Sequence, residues 1–141
     1  GYCKRVLPDI VKTLEEDKKL RVAFVEFPIL RKESVIAARA ALASAKQGLY
    51  METHAALMEM RGTVTERKIM AAAEELGLDM DRLREDMASE EISQQIDRNR
   101  ALAQALQISG TPSFVIGDEI LRGAPSRENL LNLIEQARDN S

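Results

Sequence analysis

The chain has 141 residues, 45% of them apolar, with 20 Lys and Arg against 23 Asp and Glu and a net charge of −3. That is the size of one domain able to bury roughly two thirds of its unfolded surface. The two signs of charge are interspersed, which excludes the basic stripe that nucleic acid demands. The most apolar run, "SVIAARAALASA", is interrupted by Arg39 and falls well short of the roughly 20 apolar residues of a bilayer span, so no membrane span is expected.

In chain order, Val6, Leu7, Ile10, Val11 and Leu14 recur at helical spacing and predict a first helix directly after "GYC". "LRVAFVEFPIL" then packs apolar and β-branched residues too densely for a one-sided strand, which predicts a buried strand around residues 22–27 ending at Pro28. From Ser34 to Ile108 the pattern is helical almost throughout. Ser34, Thr65, Asp79 and Ser89 are the expected N-caps, Gly48, Gly62, Gly77 and Gly110 the expected stops, and four or five helices fit between them. "PSFVIGDEIL" predicts a hairpin turning at Gly117 and Asp118, the glycine-first dipeptide of a type II′ turn. Ser126 then caps a final helix with Leu130, Leu133, Ile134 and Ala137 on one face. There is no repeat, low-complexity segment or linker. The order predicts a single α/β domain over residues 1–141 with an all-helical insertion over 32–108.

Two places carry candidate chemistry. Cys3, the only cysteine, stands at the start of the first helix, where unpaired N–H groups, the helix dipole and the neighbouring Lys4 and Arg5 all favour negative charge. Read by itself, it is more commonly a small buried apolar residue. Thr111 and Pro112 directly precede the "SFVIG" strand, where a proline either starts a strand edge or forms a cis bond in a tight turn. One cysteine cannot form an internal disulfide, and one Cys with one His falls short of a structural zinc site, so neither metal nor cofactor is expected. His54 and the methionines Met51, Met58, Met60, Met70, Met80 and Met87 read as packed helix residues rather than ligands or a soft copper(I) site. Glu26, inside the expected strand, calls for an Arg or Lys partner at the strand edge.

"GYC" at a helix start, Pro8 five residues on as a helix interruption, a buried strand, a helical insertion, "GTP" and a β-hairpin together resemble the thioredoxin fold. The inserted helices make the whole chain, to about residue 138, resemble the DsbA-like thiol–disulfide oxidoreductases of bacterial cell envelopes. The fold this implies is α/β and thioredoxin-like, with an inserted helical subdomain and with its N-terminal strand or strands upstream of the given chain.

The resemblance implies that Gly1, Tyr2 and Cys3 end a Cys-Gly-Tyr-Cys motif, with Cys3 as the resolving thiol and the first cysteine just before Gly1. It also implies that Thr111 and Pro112 form a cis pair beside the cysteines, whose main chain binds extended substrate. The expected activity is exchange on protein disulfides, as oxidase or isomerase. The expected partners are cysteine-containing proteins and a redox protein that recycles the site, in the periplasm or cell envelope. With Cys3 alone, the 141-residue chain would not turn over. The "GY" dipeptide and the Thr before the proline lean toward the isomerase or reductase branch, and an isomerase implies a homodimer joined by a domain upstream of Gly1. The alternative from another class is a non-catalytic thioredoxin-like module that binds peptides or chaperones. A glutathione-transferase-like helical protein would need its helices after the strands rather than between them.

Overall fold

The computed structural model of the protein describes residues 2–28 and 31–140. The chain divides into two compact units, Gly1–Phe24 with Gln107–Ser141, and Val25–Leu106.

The first unit is built from both ends of the chain. Helix α1 (Tyr2–Glu16) buries Val6, Leu7 and Ile10, the stripe expected from their spacing. It runs through Pro8 without a break, which corrects the expected interruption. Proline withholds only the N–H that would bond the Lys4 carbonyl, and its ring lies on the exposed side of a helix whose opposite face is already held by packing.

Strands β1 (Ser113–Ile116) and β2 (Glu119–Arg122) form an antiparallel hairpin with Phe114 opposite Leu121 and Ile116 opposite Glu119. The turn needs a positive φ at its first central residue, which Gly117 supplies at +59° while Asp118 stays negative, as a type II′ turn requires. A Cβ on Gly117 would also lie 3.1 Å from the Ala137 Cβ, so a side chain there would be strained by its positive φ and would crowd the last helix. That helix, α7 (Arg127–Asp139), starts where the Ser126 hydroxyl accepts from the Asn129 N–H at 3.2 Å, and it buries Leu130. Val6, Ile10 and Leu130 form the centre of the core, with Leu14, Val22, Phe24, Phe114, Ile116 and Leu121 packed around them.

The expected buried strand at 22–27 is extended but joins no ladder among the described residues. Val22 and Phe24 turn toward the core of the first unit, whereas Arg21, Ala23 and Val25 are exposed, Val25 by 52%. This corrects the two-sided burial inferred from its composition. Dense apolar content marks affinity for a sheet, but a ladder needs a neighbouring strand with free N–H and C=O groups.

The second unit is helical: α2 (Lys32–Ala45), α3 (Tyr50–Glu59), α4 (Glu66–Glu75), α5 (Met80–Met87) and α6 (Glu90–Ala105). Thr65, Asp79 and Ser89 cap α4, α5 and α6 through their side chains as expected. Ser34 does not cap α2. Its N–H already bonds the Arg31 carbonyl at 3.0 Å, so it sits inside the first turn of a helix that begins two residues earlier. Gly110 is likewise not the stop of α6; Gln107 takes the left-handed conformation there, with φ 57°. The small side chains Ala38, Ala40, Ala41, Ala43 and Ser44 let neighbours approach α2 closely. Ala38, Ala43, Ala73, Leu78, Leu83, Ile92 and Ile96 make the core, with Met70, Met80 and Met87 filling its margin. Ile69 and Leu83 are fully buried, each stabilising by about 1.5–3 kcal/mol relative to exposure.

Candidate active site

Cys3 lies in the first turn of α1 and is half-buried with a free thiol. It stands one turn before Val6 and Leu7, so the residues that anchor α1 in the core also fix where its N-terminal turn emerges. Lys4 and Arg5 beside it are exposed. Gly1 lies outside the described residues, and Tyr2 is described only as the first residue of α1, so the "GY" half of the expected motif has no geometry to report.

The other expected element is in the same unit. The peptide bond between Thr111 and Pro112 is cis. Pro112 is buried and Thr111 exposed. The Pro112 carbonyl accepts from the Gly123 N–H at 3.0 Å, extending the hairpin contact by one bond, and the Ser113 hydroxyl donates to the Gly110 carbonyl at 2.9 Å. These bonds, with Phe114 and Ile116 in the core, hold the turn from both sides. No hydrogen bond among the described residues engages the Thr111 main chain. Both Cys3 and Pro112 thus stand next to residues of one hydrophobic cluster. A shallow cleft of about 260 Å³ opens one turn beyond Cys3, lined by Arg5, Val6, Asp9, Ala124 and Pro125. Sequence reasoning did not foresee this cleft, because its two walls are more than a hundred residues apart in the chain.

The second unit holds a polar cluster that sequence reasoning also missed. Among the described residues no Arg or Lys pairs with Glu26, which corrects that expectation. Instead the Tyr50 hydroxyl donates to Glu26 Oε1 at 2.5 Å, and His54 Nδ1 lies 3.2 Å from the same oxygen. The two rings stack with centroids 5.6 Å apart. Burial, then the charge of Glu26 and its hydrogen bond, push the Tyr50 phenol far up, so it remains a donor throughout the neutral range. The i, i+4 spacing of Tyr50 and His54 in "YMETH" was a usable sign that both share one face of α3. Nothing local to Glu26 indicated that it would meet them. Among the described residues, no group of three His, Cys, Asp or Glu side chains could hold a metal ion, and no helix is long and apolar enough to cross a membrane.

Residues 1–135, which carry the helix-initial cysteine, the helical unit and the cis Thr–Pro turn in that order, match the family model described as DSBA-like thioredoxin domain. The chain belongs to that family. Its structure is similar to a thioredoxin-like oxidoreductase from Silicibacter pomeroyi DSS-3, with 38% sequence identity, a TM-score of 0.94, and coverage of 98% of this chain and 80% of that one. It is also similar to the thiol-disulfide exchange protein alpha-DsbA2 from Wolbachia pipientis, at 30% identity and TM-score 0.88 over 96% and 75% of the two chains. A periplasmic thioredoxin-like protein from Salmonella enterica serovar Typhimurium shares 26% identity at TM-score 0.85 over 97% and 77%. Among curated proteins, the Na(+)/H(+) antiporter NhaA 1 of Salinispora arenicola is 28% identical over 96% of this chain, which spans only 21% of that protein's length. The DSBA-like chain therefore has the thioredoxin-like fold that its sequence resembles, rich in helix and carrying a two-stranded sheet among its described residues.

Proposed function

We propose that this domain serves thiol–disulfide exchange on protein disulfides, with Cys3 as the resolving thiol of a Cys-Gly-Tyr-Cys site and Thr111 and Pro112 as the place where extended substrate pairs. The observation that carries the reading is the shared core: the residues following Cys3 and those following Pro112 pack into one cluster within one compact unit of a DSBA-like chain. In such a site one thiolate attacks a substrate disulfide and forms a mixed disulfide, releasing one substrate thiolate. The second thiol then attacks the first cysteine's sulfur, releases the remaining substrate thiolate and leaves an internal disulfide. Cys3 is assigned the second role because it follows "GY" within the first turn. The "GY" dipeptide and Thr111 favour an isomerase or reductase over a strong oxidase. Similarity to a periplasmic protein supports work in that oxidising compartment, where a separate redox protein would reset the site.

The test is insulin reduction by dithiothreitol with three chains: residues 1–141 as given, the same chain with a cysteine placed directly before Gly1, and that variant with Cys3→Ser. Turnover is expected only in the second, while the given chain forms mixed disulfides without internal release. Equal turnover in all three removes Cys3 from the mechanism.

A second reading, an extended-peptide binder without turnover, is favoured by the unengaged Thr111 main chain. Under it the Cys3→Ser chain binds cysteine-free extended peptides as tightly as the unsubstituted chain, and adding the preceding cysteine confers no turnover.

A further inference from the structure

The cleft beyond Cys3 is lined by groups of two kinds, all within the first unit. Val6, Ala124 and Pro125 give it apolar walls, and Arg5 and Asp9 stand one turn apart on α1. The two charges differ in setting. Arg5 is exposed and already engaged in an interaction of its own. Asp9 is half-buried, and among the described residues no hydrogen bond or ion pair reaches its carboxylate. Its carbonyl accepts from the buried Thr13 hydroxyl at 2.7 Å, so the main chain is held while the side chain is left unpaired. The opposite wall continues from the cis proline: the Gly123 N–H bonds the Pro112 carbonyl at 3.0 Å, and Ala124 and Pro125 follow directly.

We propose that Asp9 is a specificity-determining residue, and that the cleft takes a Lys or Arg side chain of a protein substrate beside the segment that pairs at Thr111 and Pro112. This rests on the reading of that turn as the substrate's place. Charge and shape agree. A carboxylate partly withdrawn from water and unpaired is unfavourable, and a cation seated against it offsets that cost. Lys and Arg also carry a long aliphatic stem, which lies along apolar surface while the charged head stays at a polar edge. Val6, Ala124 and Pro125 supply that surface and Asp9 the edge. At about 260 Å³ the cleft suits one side chain and is smaller than ordinary small-molecule pockets. Arg5 is the competing charge, and its attraction for acidic side chains is the outcome that the experiment must separate.

Fluorescence anisotropy with labelled, cysteine-free extended peptides reads this on the 141-residue chain. The peptides differ only in carrying Lys, Gln or Glu, placed in turn at each position. At low salt the best Lys peptide should bind about three- to fivefold more tightly than its Gln counterpart, as a partly exposed ion pair allows, and the gap should close as salt rises. Asp9→Asn should bring the Lys peptide down to the Gln peptide, and Asp9→Glu should restore the preference. A gap that survives in Asp9→Asn overturns the proposal, and so does tighter binding of the Glu peptides, which would give the cleft to Arg5. Binding with no charge preference removes the subsite alone and leaves the substrate turn standing. Absence of binding by every peptide overturns both, while insulin turnover decides the exchange chemistry separately.

Discussion

The two compact units solve the same problem with different materials. The second, Val25–Leu106, is continuous in sequence and closes its core with alanines, leucines and isoleucines contributed by neighbouring helices. The first is assembled from residues 1–24 and 107–141, with a small core of Val6, Ile10 and Leu130 surrounded by partly buried side chains. It is the first, less completely buried unit that carries Cys3, Thr111 and Pro112. Exchange chemistry needs an accessible sulfur and an accessible main chain, and a unit whose elements are all sealed into a core could offer neither. The difference teaches that core quality and the proposed chemistry are divided between regions: one supplies regular packing and the other carries the residues proposed for exchange.

The largest expected effects probe the cores. Leu83, fully buried among α2, α4, α5 and α6 side chains, should lose about 2–5 kcal/mol on Leu83→Ala in urea unfolding. Ile10→Ala, in the first unit where Ile10 is 9% exposed, should fall at the low end of that range. A larger loss at Ile10 would erase the contrast between the cores. Next comes the turn. Gly117→Ala places a side chain at φ +59° and against Ala137, and should cost about 1–3 kcal/mol. If thermal unfolding shows it neutral, the hairpin does not seat on α7 as described.

Helix caps should be blind to the difference between the units, because a capping bond is local. Thr65→Ala in the second unit and Ser126→Ala in the first each remove one acceptor for a backbone N–H, and each should cost about 1 kcal/mol in urea unfolding. Unequal losses would show that the surroundings, not the cap, set the energy.

The smallest effect is electrostatic. Arg138 pairs with Asp17 through both carboxylate oxygens at 2.8 and 3.0 Å, and this bond holds the Asp17 carboxyl below its ordinary value of 3.8. Because the folded value is the lower one, the contribution is present above 3.8 and is lost as pH falls through the folded value. Asp17→Asn should therefore lower stability slightly at neutral pH and flatten its decline in acid below 3.8, an effect that added salt diminishes because the pair is exposed. A variant whose acid profile overlays that of the unsubstituted chain would remove the pair from the energetics of the first unit.

What a local pattern could specify was legible in the sequence. Stripes at helical spacing located α1 and α7, short polar residues before apolar runs marked the caps at Thr65, Asp79, Ser89 and Ser126, and a glycine-first dipeptide placed the hairpin turn. Each depends on residues within one or two turns of each other. "GYC" and "GTP" pointed to the family because their meaning also lies in short stretches.

Only the tertiary structure decided the rest. Whether residues 22–27 pair in a ladder depends on a neighbouring strand, which their composition does not encode. That α1 continues through Pro8 follows from the core holding its other face. That Glu26 meets Tyr50 and His54 rather than an Arg or Lys follows from how α3 lies against residues 25–28. Long-range contacts of this kind join residues tens of positions apart, and they are set by the packing of whole elements, after local preference has done its part.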